Sequence, residues 1–202
     1  MLELLNMKLS PKIQKAINLA SRLHEGQVRK GDLHLPYISH PFAVAWILNS
    51  YTDDEDVIIA GLLHDVLEDV KNYYYGDLLK SFGERVAKIV KEVSEDKNPN
   101  EESDEVATWL ERKNKYLIAL ENDCDEALLV CAADKIHNLQ SMIEAYQVKG
   151  EALWDNFNAP KDKKLWLYEE ILKILKQRLQ NPIVAELETV YAQAEKILLK
   201  NT

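Results

Sequence analysis

Basic charge, cysteine and long apolar runs are all scarce in this sequence, and each scarcity removes a class of function. Lys and Arg total 25 against 34 Asp and Glu, a formal net charge of −9. That balance repels a nucleic-acid backbone, and no basic run is dense enough to overcome it, so polymer binding is not expected. A small anion needs only a local cluster of Lys and Arg, and remains a candidate ligand. The two cysteines, Cys124 and Cys131, fall two turns apart on one predicted helix, too far for a disulfide, and read as reduced, packed thiols. No run of about 18 apolar residues occurs. The opening MLELLNMKLSPK carries no basic leader and no small-residue cleavage site, so a cytoplasmic chain away from membranes is expected.

Glycine and proline are sparse too, six of each against 47% hydrophobic residues in 202. One sizeable core follows, and a single unit over residues 1–202 is expected, with its core at about 9–180. Apolar residues recur at helical spacing over 41–50, 55–68, 76–93, 107–120, 125–147, 163–180 and 183–199, with no competing strand alternation. Ser10-Pro11 starts an earlier helix with a hydroxyl cap and a proline where no N–H is needed. That helix stops near Gly26, and GQVRKGDLHLPYISHP reads as a structured loop. The stretch Ser94 to Glu105, SEDKNPNEESDE, is too polar to pack and reads as a mobile loop. The fold class is therefore all-α, a bundle of about eight to ten helices with a terminal helix over 183–199.

The chemistry concentrates in VIIAGLLHDVLEDV, where His64, Asp65, Glu68 and Asp69 follow a run without a charge. Ionised carboxylates leaving water cost several kcal/mol each unless paired or bound to a cation. A divalent metal is the economical partner. His64 with Glu68 and Asp65 with Asp69 are i, i+4 pairs on neighbouring stripes of one predicted helix. A metal needs more ligands than one helix offers; His40 in PYISHP and Asp134 after ALLVCAA are the further candidates. Two imidazoles and two carboxylates suit Mn, Fe, Zn or Mg.

In order along the chain, HEGQVRKG, PYISHP, LLHDVLEDV, WLERK and ADKIHNL resemble the HD superfamily of metal-dependent phosphohydrolases. Within it they resemble the hydrolase domain of the RelA/SpoT-type alarmone enzymes, especially the small stand-alone alarmone hydrolases, over roughly Leu9 to Leu179. The resemblance implies an HD-domain bundle around a buried metal, usually manganese. It also implies release of pyrophosphate from the 3′ position of (p)ppGpp. Carried over by position, His40, His64, Asp65 and Asp134 are metal ligands, and Glu68 and Asp69 the catalytic acidic pair. Arg29 and Lys30 flank base and phosphates, Lys135 and Asn138 face the nucleotide, and Lys97, Arg112 and Lys113 complete the phosphate contacts. The expected partner is a small nucleotide; a homo-oligomer is compatible with the pattern and not required by it.

Two departures bear on the substrate. Val70 follows the acidic pair where the family commonly has Thr, and SEDK stands where the bifunctional enzymes carry a Thr-Lys element. An adenosine alarmone such as (pp)pApp, or NADPH or a nucleoside phosphate, is therefore an alternative substrate. A non-catalytic, metal-stabilised nucleotide sensor is an alternative of another class. Taken alone, His40 reads as a capping histidine, Asp134 as a helix-end carboxylate, and Arg29, Lys97 and Lys113 as solvated charges; their joint order favours a site. His34 is set aside as a loop residue, and His137 as rotated from Asp134 by most of a turn. Tyr116 and His24 are pocket or core, and Trp46, Trp109, Trp154 and Trp166 are expected to pack helices together.

Overall fold

The computed structural model describes residues 9–29, 35–95 and 108–199. Lys30, His34 and Lys97, and most of the polar stretch expected to be a loop, lie outside the described residues.

Helix α1 (Pro11–Leu23) begins as the sequence dictates, with Ser10 Oγ accepting from the Ile13 N–H at 3.1 Å. After it Val28 and Pro36 form one antiparallel bridge. The Arg29 N–H donates to Leu35 O at 3.0 Å and the Tyr37 N–H to Gln27 O at 2.9 Å. These contacts place Tyr37 just before α2 (Ser39–Leu48). Then come α3 (Glu55–Leu63), α4 (Val66–Asp69), α5 (Tyr75–Phe82), α6 (Glu84–Val93), α7 (Trp109–Leu120) and α8 (Asp125–Lys149). A 3-10 helix (Gly150–Asn156), α9 (Lys161–Arg178) and α10 (Ile183–Leu198) complete the order.

The long α8 is the axis of the bundle: α2, α3, α6, α9 and α10 all pack against it. Leu128, Ile136 and Leu139 on α8 are wholly buried, each contributing on the order of 1.5–3 kcal/mol from the area it removes from water. Helix α3 is enclosed on every side, since Val57 through Leu63 are all buried. That enclosure is why its sequence shows no polar stripe. Gly61 is what lets α2 lie so close: a Cβ there would stand 2.4 Å from Leu48 Cδ1 and 3.6 Å from Ala45 Cα. The two helices that end and begin at His64 and His40 are thereby held side by side.

Three expectations need correction. The helix predicted over 55–68 is interrupted at His64 and Asp65, between α3 and α4. The helix predicted over 76–93 divides at Gly83, whose φ of +88° is open to glycine and costly for other residues. Trp46 does not pack helices together, being 68% exposed, whereas Trp109 is buried with its ring 6.5 Å from that of Trp166. Helix α2, SHPFAVAWIL, is apolar on all faces, so its sequence does not reveal which face looks outward. The two cysteines are free thiols, with Cys124 at the N-cap of α8.

Candidate functional site

Four side chains from three places in the chain meet at the α2, α3 and α8 junction. His40 Nε2 lies 3.0 Å from Asp134 Oδ1 and 3.6 Å from Asp65 Oδ2. His64 Nε2 lies 3.0 Å from Asp65 Oδ2 and 3.8 Å from Asp134 Oδ1. His40, His64 and Asp65 present donor atoms within 4.8 Å of one another, the spread a single ion spans. The interruption between α3 and α4 belongs to this arrangement: it sets Asp65, with φ −92° and ψ −6°, beside His64.

The partners of these atoms indicate that the site fits a cation. His64 Nδ1 is 2.8 Å from Gly61 O, and a carbonyl only accepts, so that nitrogen carries a proton, and in the neutral ring Nε2 carries a lone pair. Among the described residues Nε2 of His64 is buried and makes no hydrogen bond. An orphaned nitrogen lone pair facing two carboxylates is stable only with positive charge between them. The two carboxylates favour positive charge at this nitrogen, supplied by a proton in the free protein or by a cation when one is bound. Burial pushes His64 down, but Asp65 and Asp134 outweigh it and hold its pKa well above the ordinary imidazole value. Burial likewise raises Asp65, against which His64 and His40 hold its carboxyl well below the usual range.

Around the donors stands a ring of supporting contacts. Lys135 Nζ donates to Asp134 Oδ2 at 2.6 Å and Asn138 Nδ2 to Asp134 Oδ1 at 2.5 Å. Burial disfavours the Lys135 ammonium, yet Asp134 beside it raises its pKa well above the ordinary value. Tyr37 Oη donates to Asp65 Oδ2 at 2.6 Å and to Asp69 Oδ2 at 3.1 Å. His40 Nδ1 is 2.7 Å from His137 Nδ1. Burial, with His40 and Arg29 nearby, pushes the His137 imidazole down to about 4.

The acidic pair sits at the mouth of this centre. Glu68 and Asp69 line both an inner cavity of about 180 Å³, which contains the four converging side chains, and an outer cleft of about 1040 Å³. The Glu95 N–H donates to Glu68 Oε2 at 3.3 Å, and Gln27 Nε2 to the Asp69 carbonyl at 3.1 Å. Arg29 stands over the Tyr37 ring and donates to Asn138 Oδ1 at 2.8 Å. Arg112 and Lys113 also face the cleft, both paired with Glu95. Burial raises the Glu95 carboxyl, and Lys113 and Arg112 more than offset that. Of the site residues expected from sequence, all but Lys30 and Lys97 line one or both of these cavities, and those two lie outside the described residues.

Two residues at the site escaped the sequence reading. Tyr37 had no signal beyond its place in PYISHP. His137 had one: three residues along a helix is 300°, which is 60° the other way, so it neighbours Asp134 and does not point away from it. Tyr116, left between pocket and core, lines the inner cavity with its hydroxyl 3.2 Å from Cys131 Sγ. His24 is buried, its Nδ1 2.7 Å from Gln27 Oε1.

A family model described as HD domain matches residues 16–157. Guanosine-3′,5′-bis(diphosphate) 3′-pyrophosphohydrolase MESH1 of Xenopus tropicalis is 36% identical over 132 residues, covering 64% of this chain and 69% of that protein. The Homo sapiens protein of the same name is 34% identical over 130 residues, 63% of this chain and 68% of that protein. The GTP pyrophosphokinase of Streptomyces coelicolor is 39% identical over 132 residues; the match spans 64% of this chain and only 14% of that protein. A solved structure described as a metazoan ortholog of SpoT that hydrolyzes ppGpp superposes with a TM-score of 0.74 at 27% identity, covering 93% of this chain and 98% of the other. The family-model match contains His40, the His64-Asp65 dyad and Asp134; the match to the small relatives spans 68–69% of their length, and that to the Streptomyces coelicolor protein 14%. The chain belongs to the HD-domain family and, within it, to the group of the MESH1 proteins.

Proposed function

We propose that this chain hydrolyses the 3′-pyrophosphate of a purine alarmone such as ppGpp, with a divalent cation, manganese by preference, held by His40, His64, Asp65 and Asp134. The observation that carries the reading is the convergence of these donors, with one buried imidazole nitrogen that has no hydrogen-bond partner among the described residues, beneath an acidic pair that lines the cleft. Nucleotide-sized ligands occupy clefts of roughly 300–1,000 Å³, and the outer cleft, at about 1040 Å³, is of that size.

The reaction breaks the bond between the 3′-oxygen and its phosphorus. A water oxygen joins that phosphorus, pyrophosphate leaves, and the 3′-oxygen takes up a proton. When bound, the cation supplies the charge that polarises the phosphate and acidifies a nearby water. Glu68 and Asp69, both facing the cleft, orient the water and accept its proton. Tyr37, by donating to Asp65 and Asp69 together, holds one ligand and one acid in a fixed relation. Arg29, Arg112 and Lys113 supply positive charge along the cleft for the phosphates, with Lys30 and Lys97 added by position in the sequence. A planar guanidinium at Arg29 suits stacking on a purine. Lys135 and Asn138 anchor Asp134 and line the inner cavity.

The test is a substrate panel of ppGpp, pppApp and NADPH with manganese-loaded protein and product identification. Pyrophosphate with GDP from ppGpp, or with the corresponding adenosine product from pppApp, is expected. Release of another phosphate alone moves the substrate assignment and keeps the hydrolase. No turnover of any phosphate ester, together with tight nucleotide binding, replaces the enzyme with a sensor. Glu68→Gln and Asp69→Asn should remove turnover while metal binding persists.

A further inference from the structure

We propose that His137 is a positioning residue that sets which nitrogen of His40 faces the cation; this rests on the reading of His40 as a ligand. His40 is 1% exposed, and its Nδ1 is 2.7 Å from Nδ1 of His137, with ring centroids 4.9 Å apart. Two ring nitrogens this close share one proton, because two lone pairs repel and two N–H groups collide. Two arrangements satisfy the contact. In one, His40 holds its proton on Nε2, pointed at Asp134 Oδ1 3.0 Å away, and Nδ1 accepts from His137. In the other, the proton sits on His40 Nδ1 and is donated to His137, leaving the Nε2 lone pair for a cation. Only the second arrangement ligates.

His64 faces no such choice, since its Nδ1 meets the carbonyl of Gly61, which can only accept. The tautomer of His40 is instead fixed by a side chain that can take either role. His137 must present a lone pair at Nδ1 and keep its own proton on Nε2. Its position allows this, because His137 is half-buried and lines the outer cleft, where water or a ligand can accept from Nε2. The residue thus stands outside the coordination set while deciding whether one member of it can bind. A metal-binding histidine oriented by a hydrogen bond at its other nitrogen is a general device, and losing the partner weakens metal binding about 10- to 100-fold.

The experiment compares His137→Phe, which keeps a ring of similar size without an acceptor, with His137→Asn, whose Oδ1 stands close to the Nδ1 position. Manganese affinity is measured by competition with a chromogenic chelator, and melting temperature is measured without metal. The Phe variant should bind manganese about 10- to 100-fold more weakly, the Asn variant should recover most of that affinity, and excess manganese should restore kcat in the Phe variant. If the Phe variant does not fold, His137→Leu takes its place in the same comparison. Wild-type affinity in the acceptor-free variant overturns the inference, as does an Asn variant that loses as much as Phe. A wild-type protein that binds no manganese overturns the proposed function itself, and this inference with it.

Discussion

Tyr37 Oη reaches Asp65 Oδ2 at 2.6 Å and Asp69 Oδ2 at 3.1 Å, so one phenol joins a proposed metal ligand to a proposed catalytic acid. Burial, then the two carboxylates, push its pKa far up, and the hydroxyl remains a donor throughout the working range. A hydrogen bond to a charged group is worth about 1.5–3 kcal/mol, so Tyr37→Phe should lower kcat about tenfold and weaken metal binding. Steady-state rates between about pH 7 and 9 should fall by a constant factor, because no phenolate forms in the wild type.

Removing the metal should destabilise the fold, because the site then holds converging carboxylates with less to offset them. A ligand present at about 100 times its Kd stabilises by about 2.7 kcal/mol, which for a chain of this size is a shift of about 5–10 °C in Tm. Calorimetric scans with chelator and with restored manganese should show that difference, reversibly.

Asp123 provides a pH-dependent test away from the site. Burial, with Glu92 nearby, raises its carboxyl from 3.8 to about 6, and its Oδ2 has no hydrogen-bond partner among the described residues. The folded pKa lies above the unfolded one, so its cost is absent below about pH 4, grows as pH rises through about 6, and is constant above. Asp123→Asn should therefore raise Tm at about pH 8 and not at about pH 4, by an amount corresponding to about 1–3 kcal/mol. Thermal melts of both proteins at the two pH values check the sign.

Gly61→Ala sets helix propensity against space. Alanine gains about 1 kcal/mol in a helix, but its Cβ would stand 2.4 Å from Cδ1 of the wholly buried Leu48. Overpacking a core costs about 1–3 kcal/mol, so urea denaturation should show net loss of stability. Because Gly61 O also receives the His64 Nδ1 proton, metal affinity should fall too.

Much of the fold and the site was legible because both depend on burial. Helical periodicity located the amphipathic elements, and the charges set against an apolar run at Leu63-His64-Asp65 marked the site. What periodicity does not carry is where a helix bends: Val66 and Leu67 continue the apolar pattern across the break at His64. Gly83 divides α5 from α6 through its backbone conformation, a property that a hydrophobic pattern does not register. The outward position of Trp46 is not legible because α2 is apolar all round, and His137 neighbours Asp134 because 300° around a helix is 60° the other way. Tyr37 acts through its hydroxyl on residues 28 and 32 positions away, a contact that only the folded chain creates.

The central claim is that His40, His64, Asp65 and Asp134 share one cation, and Asp134 is the donor most remote in sequence. Titrating manganese into the wild type and into Asp134→Ala, with bound metal counted per chain, tests it most directly. One ion per wild-type chain is expected, with affinity at least about 10- to 100-fold weaker in the variant. Equal affinity and stoichiometry in the two proteins would contradict the shared site.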